Sequence, residues 1–269
     1  MRPPARLVEL SDADLPEQPG MNRSIRGWWG MLRSRAVYDW KPGNRSRMVR
    51  FYRQFIQPGD LCFDLGAHVG NRTRSWRDLG ARVISIEPQP RCLDVLNNRF
   101  GRDKHVVIVP KAVASTAREL TFHINPGSPT ISTLRDRSWQ EMMAGYSHRN
   151  ERWDEQIQVQ TITLDDLVDQ YGQPAFCKID VEGFELEVLK GLHRPLPHLS
   201  LEFFSKDLEP LHDIILYLNQ LGRYEYNFSL REQHRFELPE YTSADRLMTE
   251  LSRTRTRVIS GDIYARHSL

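Results

Sequence analysis

The feature that most constrains this chain is a series of short, near-continuous apolar runs separated by segments of helical period. Runs at 61–65, 83–87, 106–109, 175–180 and 199–204 read as strands, with helices at 91–100 and 183–192. Strands that are apolar along their whole length must be covered on both faces, and crossover helices provide that cover. The expected fold is α/β, a doubly wound, mostly parallel sheet. The tail differs: "YEYNFSL" (224–230) and "SGDIYAR" (260–266) alternate as half-buried strands do. They predict an antiparallel pair at the sheet edge.

Two segments depart from this rhythm. Residues 1–57 form an N-terminal extension, partly helical, in front of a main domain at 58–269. Within "RSRMVRFYRQFI", Met48, Phe51, Tyr52 and Phe55 make a helical stripe suited to packing on the domain. The second departure is an insertion at about 115–165. It carries a strand "LTFHI", a turn-rich "NPGSPTISTL", a polar helix "RDRSWQEMMAGY" and a strand "IQVQTI". Long insertions in compact domains often carry function.

Composition narrows the class. Hydrophobic residues make up 39% and charged residues 27% of 269, enough apolar material for a packed core. Three separated cysteines (Cys62, Cys92, Cys177) argue against a disulfide framework or a zinc site. The first twenty residues lack the apolar core of a signal peptide, and no run approaches the ~20 apolar residues of a membrane span. A cytoplasmic protein is expected. A homodimer is compatible with the sequence, as is a monomer.

The turn after the first strand is the first candidate site. A dinucleotide fingerprint starting at Gly66 would need glycines where His68 and Asn71 stand, and a phosphate-binding P-loop would need Lys-Ser/Thr; neither pattern is present. What is present is D-x-G-A-x-x-G: Asp64, Gly66, Ala67 and Gly70. Small residues let a ligand approach, and the following helix N-terminus offers N–H donors to a carboxylate. Glu87, closing the second strand, can accept from both hydroxyls of a ribose. A nucleoside with an amino-acid end and no pyrophosphate matches this set. S-adenosylmethionine (SAM) has that form, and its cationic centres favour carboxylates such as Asp64 and Asp180.

The second candidate site is "KIDVEGFELEVLKGL" (178–192), where Lys178, Asp180, Glu182 and Glu185 crowd the carboxyl end of a strand, the end at which open α/β sheets bind ligands. Glu185 reads as a stabiliser of the helix N-terminus that follows; Asp180 reads as functional. With "FDLGAHVGNRT", "VISIEPQP", "TLDDL", "LEF" and "GDIYAR", in this order and spacing, the chain resembles the FkbM-like SAM-dependent methyltransferases over about 45–266. The resemblance implies a Rossmann-like fold with a C-terminal antiparallel strand, and O-methylation of a hydroxyl on a sugar or secondary metabolite. It places Asp64, Gly66, Ala67, His68 and Gly70 around the methionine part of SAM. Glu87 and Pro88 then fall at the ribose and adenine, with Lys111, Ala112 and Val113 at the adenine edge. Asp180 and Glu182 lie by the reactive methyl, and "ISTL", with Ser132 and Thr133, lines the cleft. His68 departs from the pattern, which commonly has Asn there.

Methyl transfer to an alcohol benefits from a general base. The candidates are Asp180, Glu182 and a histidine from the insertion, His123 or His148; Glu202 is a candidate for binding the acceptor. No metal is called for, since the spacing of the acids is not diagnostic. A small-molecule hydroxyl acceptor is expected. The basic, aromatic stretch 23–55 and "RTRTR" (253–257) permit a nucleic-acid substrate. Against that, Asp180 is followed by Val-Glu-Gly and not by the Pro-Pro-aromatic pattern of amino-methylating enzymes. A dehydrogenase is disfavoured by the glycine spacing. A non-catalytic SAM-fold binder is disfavoured by the acids at 64, 87 and 180.

Overall fold

A computed structural model describes residues 43–146, 151–205, 207–253 and 260–268. His148, Trp28 and Trp29, and most of the two basic stretches lie outside the described residues.

Among the described residues, seven strands form the main sheet, in the order β3-β2-β1-β7-β8-β10-β9. They are β1 (Leu61–Leu65), β2 (Arg82–Ile86), β3 (Val106–Val109), β7 (Phe176–Ile179), β8 (His198–Phe204), β9 (Tyr224–Leu230) and β10 (Ser260–His267). β1, β2, β3, β7 and β8 pair in parallel, whereas β10 runs antiparallel to both neighbours, β8 and β9. The doubly wound sheet and its antiparallel strand are therefore present, with one refinement: β10 inserts between β8 and β9, so the earlier strand forms the edge. The chain leaves β1 toward β2 on one side and pairs with β7 on the other. That makes the carboxyl ends of β1 and β7 the switch point, where such sheets open a crevice.

Helices cover both faces. On one, α1 (Asn44–Tyr52) lies against α2 (Asn71–Asp78). The expected stripe of α1 packs with Trp76, Phe176 and Tyr264 in an aromatic cluster, and the ring of Phe55 stacks on Tyr264 with centroids 5.7 Å apart. Each such buried side chain contributes roughly 1.5–3 kcal/mol. α3 (Pro90–Phe100) packs Leu96 and Phe100 beneath Ala67. The larger core lies under α5 (Leu164–Tyr171), α6 (Glu185–Leu189), α7 (Glu209–Leu221) and α8 (Ala244–Ser252). "TLDDL" proves to be a capping box: Thr163 and Asp166 satisfy each other's backbone N–H at the start of α5.

The insertion, with the two residues of β4 just before it, makes a small sheet of its own, ordered β4-β6-β5, from β4 (Ala112–Val113), β5 (Glu119–Ile124) and β6 (Glu155–Ile162). Between β5 and β6 lie a 3₁₀ turn, Pro129–Ile131, and the polar helix α4, Arg137–Tyr146. Among the described residues no helix is long and apolar enough to cross a membrane.

The helix expected at 183–192 is shorter and begins at Glu185. The cause is a left-handed pair, Glu182 (φ 55°) and Gly183 (φ 87°), that turns the chain before the helix can start. Glu185, expected to favour the helix N-terminus, sits in the first turn and accepts hydrogen bonds from the N–H groups of Val181 and Gly183 in the turn before the helix.

Candidate active site

Cross-strand partners in a sheet share a face, and here they carry a polar band. Asp64 pairs with Lys178, Lys178 with Ser200, Ser200 with Tyr264, and Glu202 with Asp262. Two residues further along the strands, the same face presents Gly66, Asp180 and Glu202 at the carboxyl ends. Glu87 stands beyond β2 in the same way. A cleft opens above them.

Gly66 turns the chain with φ 76°, and a Cβ there would drive into the backbone carbonyl of Asp180. The turn and the end of β7 touch, and only glycine fits. Gly66, Ala67 and His68 line the cleft. Asp64 and Gly70 do not line it, contrary to expectation. The buried Asp64 carboxylate accepts from the N–H and hydroxyl of Thr73, at 3.1 and 2.6 Å, and so anchors α2. Gly70 caps α2 and lets Phe100 and Leu96 pack under the turn. Burial draws the His68 imidazole down to about 4, so it is neutral at pH 7.

Glu87 is held from two sides. One oxygen accepts from the N–H of His68 at 2.8 Å, the other from the N–H of Gln89 at 2.9 Å. Burial raises its pKa to about 7 against the pull of those bonds. Each oxygen keeps a lone pair, which suits a vicinal diol. Pro88, Lys111, Ala112 and Val113 line the cleft beside it. Gln89, which lies in "VISIEPQP" but is not among the expected site residues, also lines it, tied to the carbonyl of Pro129 at 3.2 Å.

At the other half of the cleft, one oxygen each of Asp180, Glu182 and Glu202 lie within 4.8 Å of one another. Asp180 sits between two cations, the Lys178 ammonium and the Arg72 guanidinium, each at 3.4 Å. Burial raises its pKa, but the two charges more than reverse this, and Asp180 stays below the usual carboxylate range. Glu182 and Glu202 are pushed well above it, first by burial and then by the neighbouring acids. Three carboxylates this close share either protons or a cation. Here Lys178 and Arg72 sit at Asp180, and burial together with mutual repulsion favours a proton shared by the glutamate pair.

The insertion borders the same region. Ser132 lines the cleft as expected, but Thr133 does not; its hydroxyl donates to the carbonyl of Glu182 at 2.8 Å. Neighbours in an extended segment face opposite ways, so only one of the two can reach the cleft. His123 is bridged through its backbone to Thr133 and does not line the cleft. Residues that the sequence did not mark for the site complete the far wall, among them Met48, Arg72, Arg231 and Ser260–Asp262.

The donor set fits a nucleoside with a cationic amino-acid end: a two-oxygen acceptor at Glu87, a glycine turn at a helix start, and an ionised Asp180. The domain described as the methyltransferase FkbM domain matches residues 64–228, more than half of the chain.

The chain belongs to the FkbM methyltransferase family.

The family is one of SAM-dependent methyltransferases, and the donor set of the cleft fits that cofactor. Two curated relatives are similar to it. One is the hexuronic acid methyltransferase AglP of Haloferax volcanii, 26% identical over 160 residues, which are 57% of this chain and 58% of that protein. The other is the methyltransferase sdnD of Sordaria araneosa, 29% identical over 133 residues, 42% of this chain and 51% of that one. The chain thus spans just over half the length of each. Among solved structures, a TehB-like SAM-dependent methyltransferase from Corynebacterium glutamicum overlays with TM-score 0.48 at 9% identity, covering 92% of this chain and 100% of that one.

Proposed function

We propose that the protein transfers the methyl group of SAM to a hydroxyl of a small, polyhydroxylated acceptor of the sugar class. The observation that carries this reading is the pair Glu182 and Glu202. They are carboxylates of raised proton affinity, beside an ionised Asp180, at the end of the cleft opposite Glu87. A carboxylate acceptor is already ionised at neutral pH and attacks without giving up a proton; a hydroxyl gains from a base placed at its proton. The hexuronic acid named for AglP supports the sugar class.

In this reading Glu87 holds the ribose diol, with Pro88 and the segment Lys111–Val113 along the adenine. Asp180 faces the cationic end. Bound SAM supplies a methyl group on a sulfonium, a good leaving group. The chain's part is alignment, worth up to ~7–11 kcal/mol when reacting atoms are held in line, and proton removal, worth typically ~10²–10⁴-fold. The acceptor hydroxyl lies between the far wall and the two glutamates. Its proton passes to a carboxylate oxygen of Glu182 or Glu202 as the oxygen attacks. Ser132 and the Arg72 side of the cleft orient the acceptor.

The test is a panel of neutral and acidic methyl glycosides with SAM, read by formation of the demethylated cofactor and by product chemistry. A base-stable methyl ether supports the reading. A base-labile methyl ester, or turnover only on nucleic acid, would overturn it.

A further inference from the structure

Lys178 sits in the middle of a parallel strand, and its side chain is 0% exposed. Its Nζ lies 2.5 Å from Oδ1 of Asp262 and 3.4 Å from Oδ2 of Asp180. Lys178 is on β7 and Asp262 on β10, with β8 between them. The ion pair therefore bridges β8 over Ser200, the cross-strand partner of Lys178. The Ser200 hydroxyl has no hydrogen-bond partner among the described residues, so the bridge itself carries the polar chemistry there.

An isolated buried ammonium tends to shed its proton. Two carboxylates prevent this: burial lowers the proton affinity of Lys178, and Asp180 and Asp262 together more than restore it. Asp262 belongs to the last strand, outside the stretch that matches the family, and 84 residues from Lys178.

We propose that Lys178, clamped by Asp262, is a positioning residue that keeps Asp180 ionised and in place toward the cationic end of SAM, so that the last strand completes the cofactor site from across the sheet. This rests on the reading that Asp180 faces the cofactor. The surroundings of Asp180 make the clamp necessary. Asp64 reaches it from β1, Glu202 from β8, Glu182 from the loop before α6, Glu185 from the first turn of α6, and Glu232 from the chain after β9. Against these stand the two cations Lys178 and Arg72, with His68 in the turn neutral. Without Lys178 the balance is strongly anionic, and Asp180 takes up a proton more readily.

The experiment is calorimetric titration of the full chain with SAM from about pH 8 to about pH 5.5, reported as the ratio of variant to wild-type Kd, so that pH effects common to both cancel. The variants are Lys178→Met, the double change Lys178→Met with Asp262→Leu, and Asp180→Asn. The double change leaves no lone buried charge of the pair, a replacement proteins often tolerate, so one lysine-free variant folds even where the single one does not. For either lysine-free variant the ratio is expected to climb as pH falls, toward about tenfold per unit below the new pKa of Asp180. A ratio constant across the range, or equal to one, means the pair serves only the fold and overturns the inference. Asp180→Asn separates the two levels. If it weakens SAM while the lysine-free ratio stays flat, only the clamp fails; if it leaves SAM affinity untouched, the placement of Asp180 fails and the clamp with it.

Discussion

The hydroxyl of Thr133, in the insertion, donates to the backbone carbonyl of Glu182, in the loop after β7, at 2.8 Å. Glu182 has a left-handed backbone (φ 55°) that non-glycine residues seldom adopt. The hydrogen bond helps hold that conformation, and with it the direction of the Glu182 carboxylate. The insertion thereby reaches the reacting end of the cleft through a backbone contact.

Thr133→Val removes that bond and keeps the shape. Stability is expected to fall by about 0.5–1.5 kcal/mol. The kinetic effect is expected to be larger, a ~10-fold or greater drop in kcat with SAM affinity nearly unchanged, because small misplacements at a reacting centre are costly. Steady-state kinetics and SAM titration on the same variant check this. Loss of SAM binding in step with kcat would place Thr133 in the cofactor half instead.

Glu87 sets a pH dependence on cofactor affinity. Its carboxyl has a pKa of about 7 before ligand binds, and a ribose diol needs both oxygens as acceptors. Protonation removes one acceptor, so SAM affinity is expected to weaken as pH falls below about 7 and to level off above it. Glu87→Gln should cost ~10–100-fold in affinity, in line with bonds to a charged acceptor, and should flatten the profile. Titrations across pH, wild type against variant, decide the matter; a wild-type profile without this inflection would contradict it.

How much of this was legible in the sequence depends on how local the cause is. The apolar runs marked the parallel strands because burial on both faces leaves no alternation. Glu87 and Asp180 were legible because strand ends follow from the same runs. Asp64 sits at the expected place but turns its carboxylate to Thr73, and the two-residue period alone does not say which hydrogen bond a side chain makes. Thr133 failed for the same reason, since a one-residue shift of face separates it from Ser132. The insertion of β10 between β8 and β9 was not legible, because pairing partners are chosen by packing over long separations. The meeting of Lys178 with Asp262 follows from that insertion and was equally hidden.

The glutamate pair predicts a rising activity profile. Glu182 and Glu202 are both pushed above the ordinary carboxylate range, so at low pH both hold protons and neither can act as base. Activity, as kcat/KM, is expected to climb as pH rises and one carboxyl of the pair is freed. Glu202→Gln and Glu182→Gln separate the roles: the variant that removes the base should lose ~10²–10⁴-fold in kcat, and the other much less. If both variants keep near wild-type kcat, proton removal lies elsewhere.

Gly183 gives the last test of how the insertion shapes the site. Its φ is 87°, and a Cβ there would run into the indole of Trp139 on α4, approaching Cδ1 to 2.9 Å. Gly183→Ala therefore meets two penalties, the left-handed backbone and the indole. Backbone strain of this kind alone costs on the order of 1–3 kcal/mol. The expected result is a lower Tm and a larger loss in kcat than in SAM affinity, since the residue next to it is Glu182. Pairing the change with Trp139→Leu isolates the second penalty. If the indole is what the new methyl group meets, the double variant is more stable than the sum of the single losses predicts. Strict additivity would mean that the backbone conformation alone demands glycine, and that α4 does not bear on the Glu182 loop at this point.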